Sequence, residues 1–255
     1  MKASEILMAL LCAVIAALMV AGAVIAGRYY NEQGCNGMTV EVSGEYAFVD
    51  KNEAVDFILS RYADPVGMKA GEIDLWQMEQ LLDSHSAVFK SQVWLESDNC
   101  VHIDVMQRCP VMRIQTGNSG FYIDSTGCIF PLQKGYSAQV PVIDGNVPVK
   151  IAGGYKGLAP TPEEQEWVER MLELITVMRD GVWATNISQI RVGRDGGMVM
   201  IPRTGNEKIL FGSADDIERK FAKIEKYYTH ILPLKGEGYY RSVDVTNKGK
   251  IICTK

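Results

Sequence analysis

The run Ile6–Gly27, ILMALLCAVIAALMVAGAVIAG, holds 22 residues without a charge, Asn, Gln or Pro. As a helix it measures about 33 Å at 1.5 Å per residue, enough to cross a hydrocarbon core of about 30 Å. A cleavable secretory signal is the competing reading, because Ala21-Gly22-Ala23 resembles a small-residue cleavage site. Signal cores extend to about 15 residues, so the longer run here favours an uncleaved anchor. The charge rule for orientation is close to a tie. The Met1 amine and Lys2 precede the span with Glu5 beside them, and Arg28 follows it. The leader, residues 1–5, contains no domain to translocate, so the expectation is an amino terminus in the cytoplasm and residues 28–255 on the far side.

The rest of the chain has the composition of a folded body. Hydrophobic residues make up 47% and charged residues 22%, which excludes wholesale disorder. Lys and Arg number 26 against 31 Asp and Glu, a formal charge of −5 with no basic block, which argues against nucleic-acid binding. Outside the span stand Cys35, Cys100, Cys109, Cys128 and Cys253, an odd number with no C-x-x-C pair. Neither a disulfide framework nor a zinc site follows from that spacing. Cys100 and Cys109 lie on or beside one expected hairpin and come within reach of each other, but each cysteine reads best as a small buried hydrophobe.

After a polar spacer over residues 28–37, Met38–Val42 reads as a strand. Asp50-Lys-Asn-Glu53 has capping-box form and opens a helix with Ala54, Val55, Ile58, Leu59 and Tyr62 on one face. Asp74 caps a second helix, with Leu75, Met78, Leu81 and Leu82 toward a core. Val88–Leu95 and Val101–Val105 then form a hairpin with one wet face, since Val101, Ile103 and Val105 alternate with His102 and Asp104. The order is β-α-α-β-β. A second unit follows. Thr161, Pro162 and Glu164 open a helix with Trp167, Val168, Met171, Leu172, Ile175 and Met178 buried. Another helix begins after Ser213, with Ile217, Phe221, Ile224 and Tyr228 under a Lys/Glu-rich outer face. Strands are expected over Val182–Val192, Met198–Ile201, Lys208–Phe211, Arg241–Val245 and Lys250–Cys253. Two helices against a mostly antiparallel sheet make an α+β fold.

Val101-His-Ile-Asp-Val-Met-Gln-Arg-Cys-Pro-Val111 resembles the L-x-I-x-V-x-E-R-x-P-V signature of the bacterial cell-division family FtsQ/DivIB. Gln107 stands where Glu is usual and Met112 where a small residue is common. Phe121–Phe130 resembles the segment y-v-D-x-x-G-x-v-f, and Val140–Gly145 resembles L-P-v-l-x-G. Ile209–Gly212, Lys220 and Val243-Asp-Val245 are similar to later family elements. The resemblance implies a transmembrane helix over 6–27, a POTRA domain over 38–115 and an FtsQ-type β domain over 116–255. It also implies a non-enzymatic scaffold of the inner membrane and division septum, with its bulk in the periplasm. FtsB-like and FtsL-like single-span proteins are the implied partners, with FtsK and septal peptidoglycan synthase components beyond them. A POTRA-bearing component of outer-membrane assembly or protein translocation is the alternative, but neither repeated POTRA units nor a membrane barrel is evident.

Enzymatic chemistry is thin. There is no G-x-S-x-G, P-loop or G-x-G-x-x-G. His102 and Asp104 share a strand face, yet no third group joins them, and a solvated or partner-facing surface is the better reading. No catalytic, metal-ligating or cofactor-binding residue is assigned, and no small-molecule substrate. The candidate binding site is instead the end of the chain. Thr246-Asn-Lys-Gly249 is turn-compatible between two strands, which places Lys250, Ile251, Ile252 and Cys253 at a sheet edge. Lysines commonly protect such edges, but an open backbone also accepts a partner strand. In the resembling family the partner FtsB docks on this strand. Thr246, where Arg is frequent, and Lys255 as the last residue depart from the family pattern.

Overall fold

The computed structural model describes residues 3–117, 119–180 and 186–255. The apolar run lies within helix α1 (Ala3–Asn31), whose Leu10–Asn31 stretch has a mean hydropathy of 2.6 and exposed side chains. Arg28–Asn31, expected in the spacer, continue this helix. The chain divides into two compact units: Met1–Gly44 with Val49–Gln107, and Glu45–Phe48 with Arg108–Lys255.

The first unit has the expected order. It comprises β1 (Gly37–Ser43), α2 (Lys51–Leu59), α3 (Leu75–Ser84), β2 (Val88–Leu95) and β3 (Cys100–Gln107). Its sheet runs β1-β3-β2, with β1 parallel and β2 antiparallel to the central strand. Each helix starts where a carboxylate satisfies an orphan amide. Asp50 Oδ1 accepts the Glu53 N–H at 2.8 Å, and Asp74 Oδ1 accepts that of Gln77 at 2.9 Å. Ala54, Ile58, Met78 and Leu82 are buried, as are Val101, Ile103 and Val105 of β3. Leu59, expected on the α2 core face, is exposed. Gln107 is buried, and its Oε1 accepts the Val49 N–H at 2.9 Å. A neutral amide is therefore sufficient where the resembling family has a carboxylate.

The second unit contains β4 (Pro110–Thr116), β5 (Ser119–Asp124), β6 (Ile129–Pro131), β7 (Val142–Gly145), α4 (Pro162–Asp180), β8 (Ile187–Val192), β9 (Met198–Pro202) and β10 (Lys208–Gly212). It continues through α5 (Ile217–Lys226), a π-turn (Tyr227–Ile231), α6 (Leu232–Lys235), β11 (Ser242–Asp244) and β12 (Ile252–Thr254). One sheet takes all nine strands in the order β12-β11-β10-β9-β8-β7-β4-β5-β6. Pairing is mostly antiparallel, with parallel contacts at β4–β7, β7–β8 and β10–β11. The expected break at 115/116 falls inside β4, which pairs with β5 and β7 and so belongs wholly to this sheet. The Val182 end of the expected strand lies outside the described residues, and the described strand starts at Ile187.

α4 opens on a complete capping box: the Glu164 N–H donates to Thr161 Oγ1, and the Thr161 N–H donates to Glu164 Oε2, both at 3.3 Å. Its Val168, Met171, Ile175 and Met178 pack into one core with Ile114, Ile143, Ile190, Met200 and Ile209 of the sheet. Phe48, from the short segment between β1 and α2, is buried against Tyr122, Phe130 and Tyr136.

The entry into this sheet is fixed by charge. Arg108 Nη1 meets Asp124 Oδ2 at 2.5 Å, with both side chains buried. Asp124 Oδ1 also accepts the Thr126 N–H at 2.9 Å, the Thr126 hydroxyl at 2.6 Å and the Cys128 N–H at 3.1 Å. Pro110 and Asp124 are register partners, so one carboxylate joins the start of β4, the end of β5 and the turn into β6. Asp124→Ala removes the carboxylate that Arg108 pairs with and the acceptor of three turn donors, at an expected cost of about 3–5 kcal/mol. Hydrogen exchange should show the loss as deprotection of β8–β10 amides, with the β1–β3 amides unchanged.

Candidate partner-docking edge

The sheet ends differently at its two sides. β6 is met on its outer side by the Ile129–Gly157 bridge. β12 pairs with β11 through Ser242–Thr254, Val243–Cys253 and Asp244–Ile252, and no strand covers its other side among the described residues. An edge of this kind presents unpaired N–H and C=O groups. Both terminal strands are shorter than expected, three residues each. Asp244 Oδ1 takes the Thr246 N–H at 2.8 Å and the Thr246 hydroxyl at 2.7 Å, an Asx-type turn that stops β11.

The connection between these strands is clamped from α5. The Lys223 ammonium donates to the Lys250 carbonyl at 3.1 Å and to the Asn247 carbonyl, and Arg219 Nη1 reaches Asn247 O at 3.5 Å. The Lys/Glu-rich outer face expected for this helix is thus corrected: Lys220 and Lys223 are buried with Ile217, Phe221 and Ile224. Lys220 donates to Ser213 O at 2.8 Å and to Asp215 Oδ1 at 2.5 Å, and lies 5.1 Å from the Phe211 ring centroid. Hydrogen bonds from Lys220 and Ser213 hold the Asp215 carboxyl at about 2. Burial, then the Arg219 charge, holds the Lys223 ammonium below its ordinary range against the pull of Asp244.

The structure brings the expected binding residues together at this edge, but in unlike settings. Thr246 lies against Gly212, whose φ is +73° and where an added Cβ would come 2.9 Å from Thr246 Cγ2. Asn247 Oδ1 accepts the Gly249 N–H at 3.2 Å. Lys248, Gly249, Lys250 and Ile252 are exposed, whereas Ile251 and Cys253 are half-buried against the core. Alternation within β12 leaves Ile252 and Thr254 outward, and Lys250 is exposed just before the strand. Lys255 is engaged elsewhere, its Nζ 4.4 Å from the Tyr239 ring centroid. Lys223 and Arg219 were absent from the sequence-derived site. Spacing signals the neighbouring Lys220, which falls in one helical stripe with Ile217, Phe221 and Ile224, but Lys223 and Arg219 stand outside that stripe.

Elsewhere, the neighbours of His102 are the hairpin carboxylates, not Asp104. Its Nε2 lies 3.3 Å from both Glu96 Oε2 and Asp98 Oδ2, and its ring stacks on Trp94. Of the five cysteines expected to be buried, Cys35 and Cys128 are buried, Cys100 and Cys253 are half-buried, and Cys109 is exposed beside Pro110.

Residues 33–106 match the model of the POTRA-like domain, and residues 109–254 match that of FtsQ/DivIB, C-terminal related. No curated protein matches the chain.

Lys223→Met keeps the helix stem packed but removes the donor shared by two carbonyls. Loss of these bonds is expected to cost about 1–2 kcal/mol. Amides of Thr246–Ile251 should exchange at least tenfold faster, roughly 1.4 kcal/mol of local opening, with β1–β3 unaffected.

Proposed function

The chain belongs to the FtsQ/DivIB family and is a division-related scaffold, and on that premise we propose that it works by binding through the open edge of β12. The observation that carries this reading is a strand whose outer side no other strand covers among the described residues, held in place by α5, with Ile252 outward and Lys250 exposed just before it. Strand addition suits such an edge: a partner segment pairs with the backbone while alternate side chains select it. These exposed side chains fit an acidic, partly apolar segment, and the family supports an FtsB-like partner accompanied by an FtsL-like one. FtsK and septal synthase components are further members of the same proposed assembly. In this reading α1 is a single-pass anchor with its amino terminus in the cytoplasm, the body is periplasmic, and the protein acts at the septum by recruitment.

The test of the edge uses the full-length tagged chain from native membranes. Two small coiled-coil, single-span proteins should co-purify with it. Ile252→Glu places a charge on a side chain that is 41% exposed, so the fold should be kept while partner binding falls about tenfold or more. Unchanged binding by a folded Ile252→Glu chain overturns the edge assignment.

Topology is checked separately. Protease added outside spheroplasts should digest residues 28–255 and spare a short membrane fragment. Recovery of a soluble mature protein beginning near Val24 overturns the anchor.

A further inference from the structure

Two thiols of the first unit converge on one glycine. Gly37 opens β1 opposite Cys100, and the position of a Cβ on Gly37 lies 3.5 Å from Cys100 Sγ. From the other direction, Cys35 Sγ contacts Gly37 O at 3.2 Å. The absent side chain leaves open the space toward which Cys100 points.

The backbone fixes both partners. Asn36, the residue between Cys35 and Gly37, donates its N–H to Asn99 O at 2.8 Å and its side-chain amide to Asp98 O at 2.9 Å. Cys35 and Asn36 precede β1 and stand outside its ladder, so Cys35 meets Cys100 through their shared contacts on Gly37 and not through strand register. On its far side Cys35 is held by backbone bonds to Met68 O and from Gly67 N–H, both at 2.8 Å.

We propose that Cys35 and Cys100 are a disulfide pair that staples the segment following α1 to β3. Burial, then Asp98, and last the neighbouring Cys35 sulfur raise the Cys100 thiol above its ordinary range, in keeping with the proximity of the two groups. Accessibility sets the order of events. Cys35 is 3% exposed and Cys100 is half-buried, so the Cys100 thiolate attacks an external disulfide first and releases one thiolate. The Cys35 thiolate then displaces the second from the mixed disulfide. Two electrons and two protons leave the pair, and the external disulfide, a glutathione or protein disulfide, is reduced to two thiols. Formation of the bond in cells rests on the exported body proposed above, whereas the pairing itself does not.

The closing experiment uses the full-length chain in detergent with Cys109→Ser, which removes an exposed competing thiol. After equilibration with oxidised and reduced glutathione, free thiols are blocked with N-ethylmaleimide and the digest is mapped by mass spectrometry. The expected result is a linked Cys35–Cys100 peptide pair as the major form. It should disappear with dithiothreitol and in both Cys35→Ser and Cys100→Ser. Full labelling of both thiols, or capture of each mainly by other cysteines or glutathione, overturns the proposal. The same mapping after blocking in intact cells separates the two readings. A pair linked in the purified chain but free in cells supports the pairing and counts against export.

Discussion

The second unit depends on the Arg108–Asp124 ion pair. A charge pair this deeply buried is not a cheap device, because both groups give up water and need near-complete replacement of their hydrogen bonds. Asp124 provides that replacement on its side with four donors: the guanidinium, two amides and a hydroxyl. The result is specificity of register. Arg108 precedes β4 and Asp124 ends β5, so a slip of β5 by one residue along β4 would separate the charges and turn the side chains of Phe121 and Ile123 to the wrong face. The strands that follow inherit that register, β7 from β4 and β8 from β7.

At the far end of the same sheet the controlling charges are lysines. Lys220 and Lys223 occupy the buried side of α5, one bound to Ser213 and Asp215 at the start of the helix, the other to the carbonyls before β12. Each ammonium substitutes for the water its carbonyl partners lose, which is how a short loop stays satisfied close to a core. The helix thus has two parts to play, covering Phe211 and Val243 with its apolar side chains and holding the terminal connection with its basic ones.

Much of this was legible in the sequence because period and punctuation agree. Asp50, Asp74 and Thr161 sit where the caps are found, and the alternation of Val101, Ile103 and Val105 fixes the face of β3. What escaped notice shares one cause, since periodicity counts apolar residues and cannot see what a polar one binds. Lys223 looks like a solvent residue until its carbonyls are located. Phe48 is one aromatic in a turn-rich stretch, and nothing local assigns it to a core built from residues far along the chain. The shortening of β11 likewise comes from a side chain, Asp244, that competes with the ladder for the next residue.

The terminal edge resolves a tension common to sheet proteins. An open strand must neither pair with copies of itself nor lose its readiness for the right partner. Length answers the first need: three residues offer few backbone groups, and Lys248 and Lys250 next to them repel a second copy. Pre-organisation answers the second. A strand held by Lys223 at one end and by the Arg241 N–H to Thr254 O bond at 2.8 Å at the other has little backbone freedom left to lose when another segment pairs with it. The entropic cost of ordering then falls mainly on the incoming chain. Selectivity follows from the same arrangement, because Ile251 and Cys253 face the core and only Lys250, Ile252 and Thr254 remain to be read from outside.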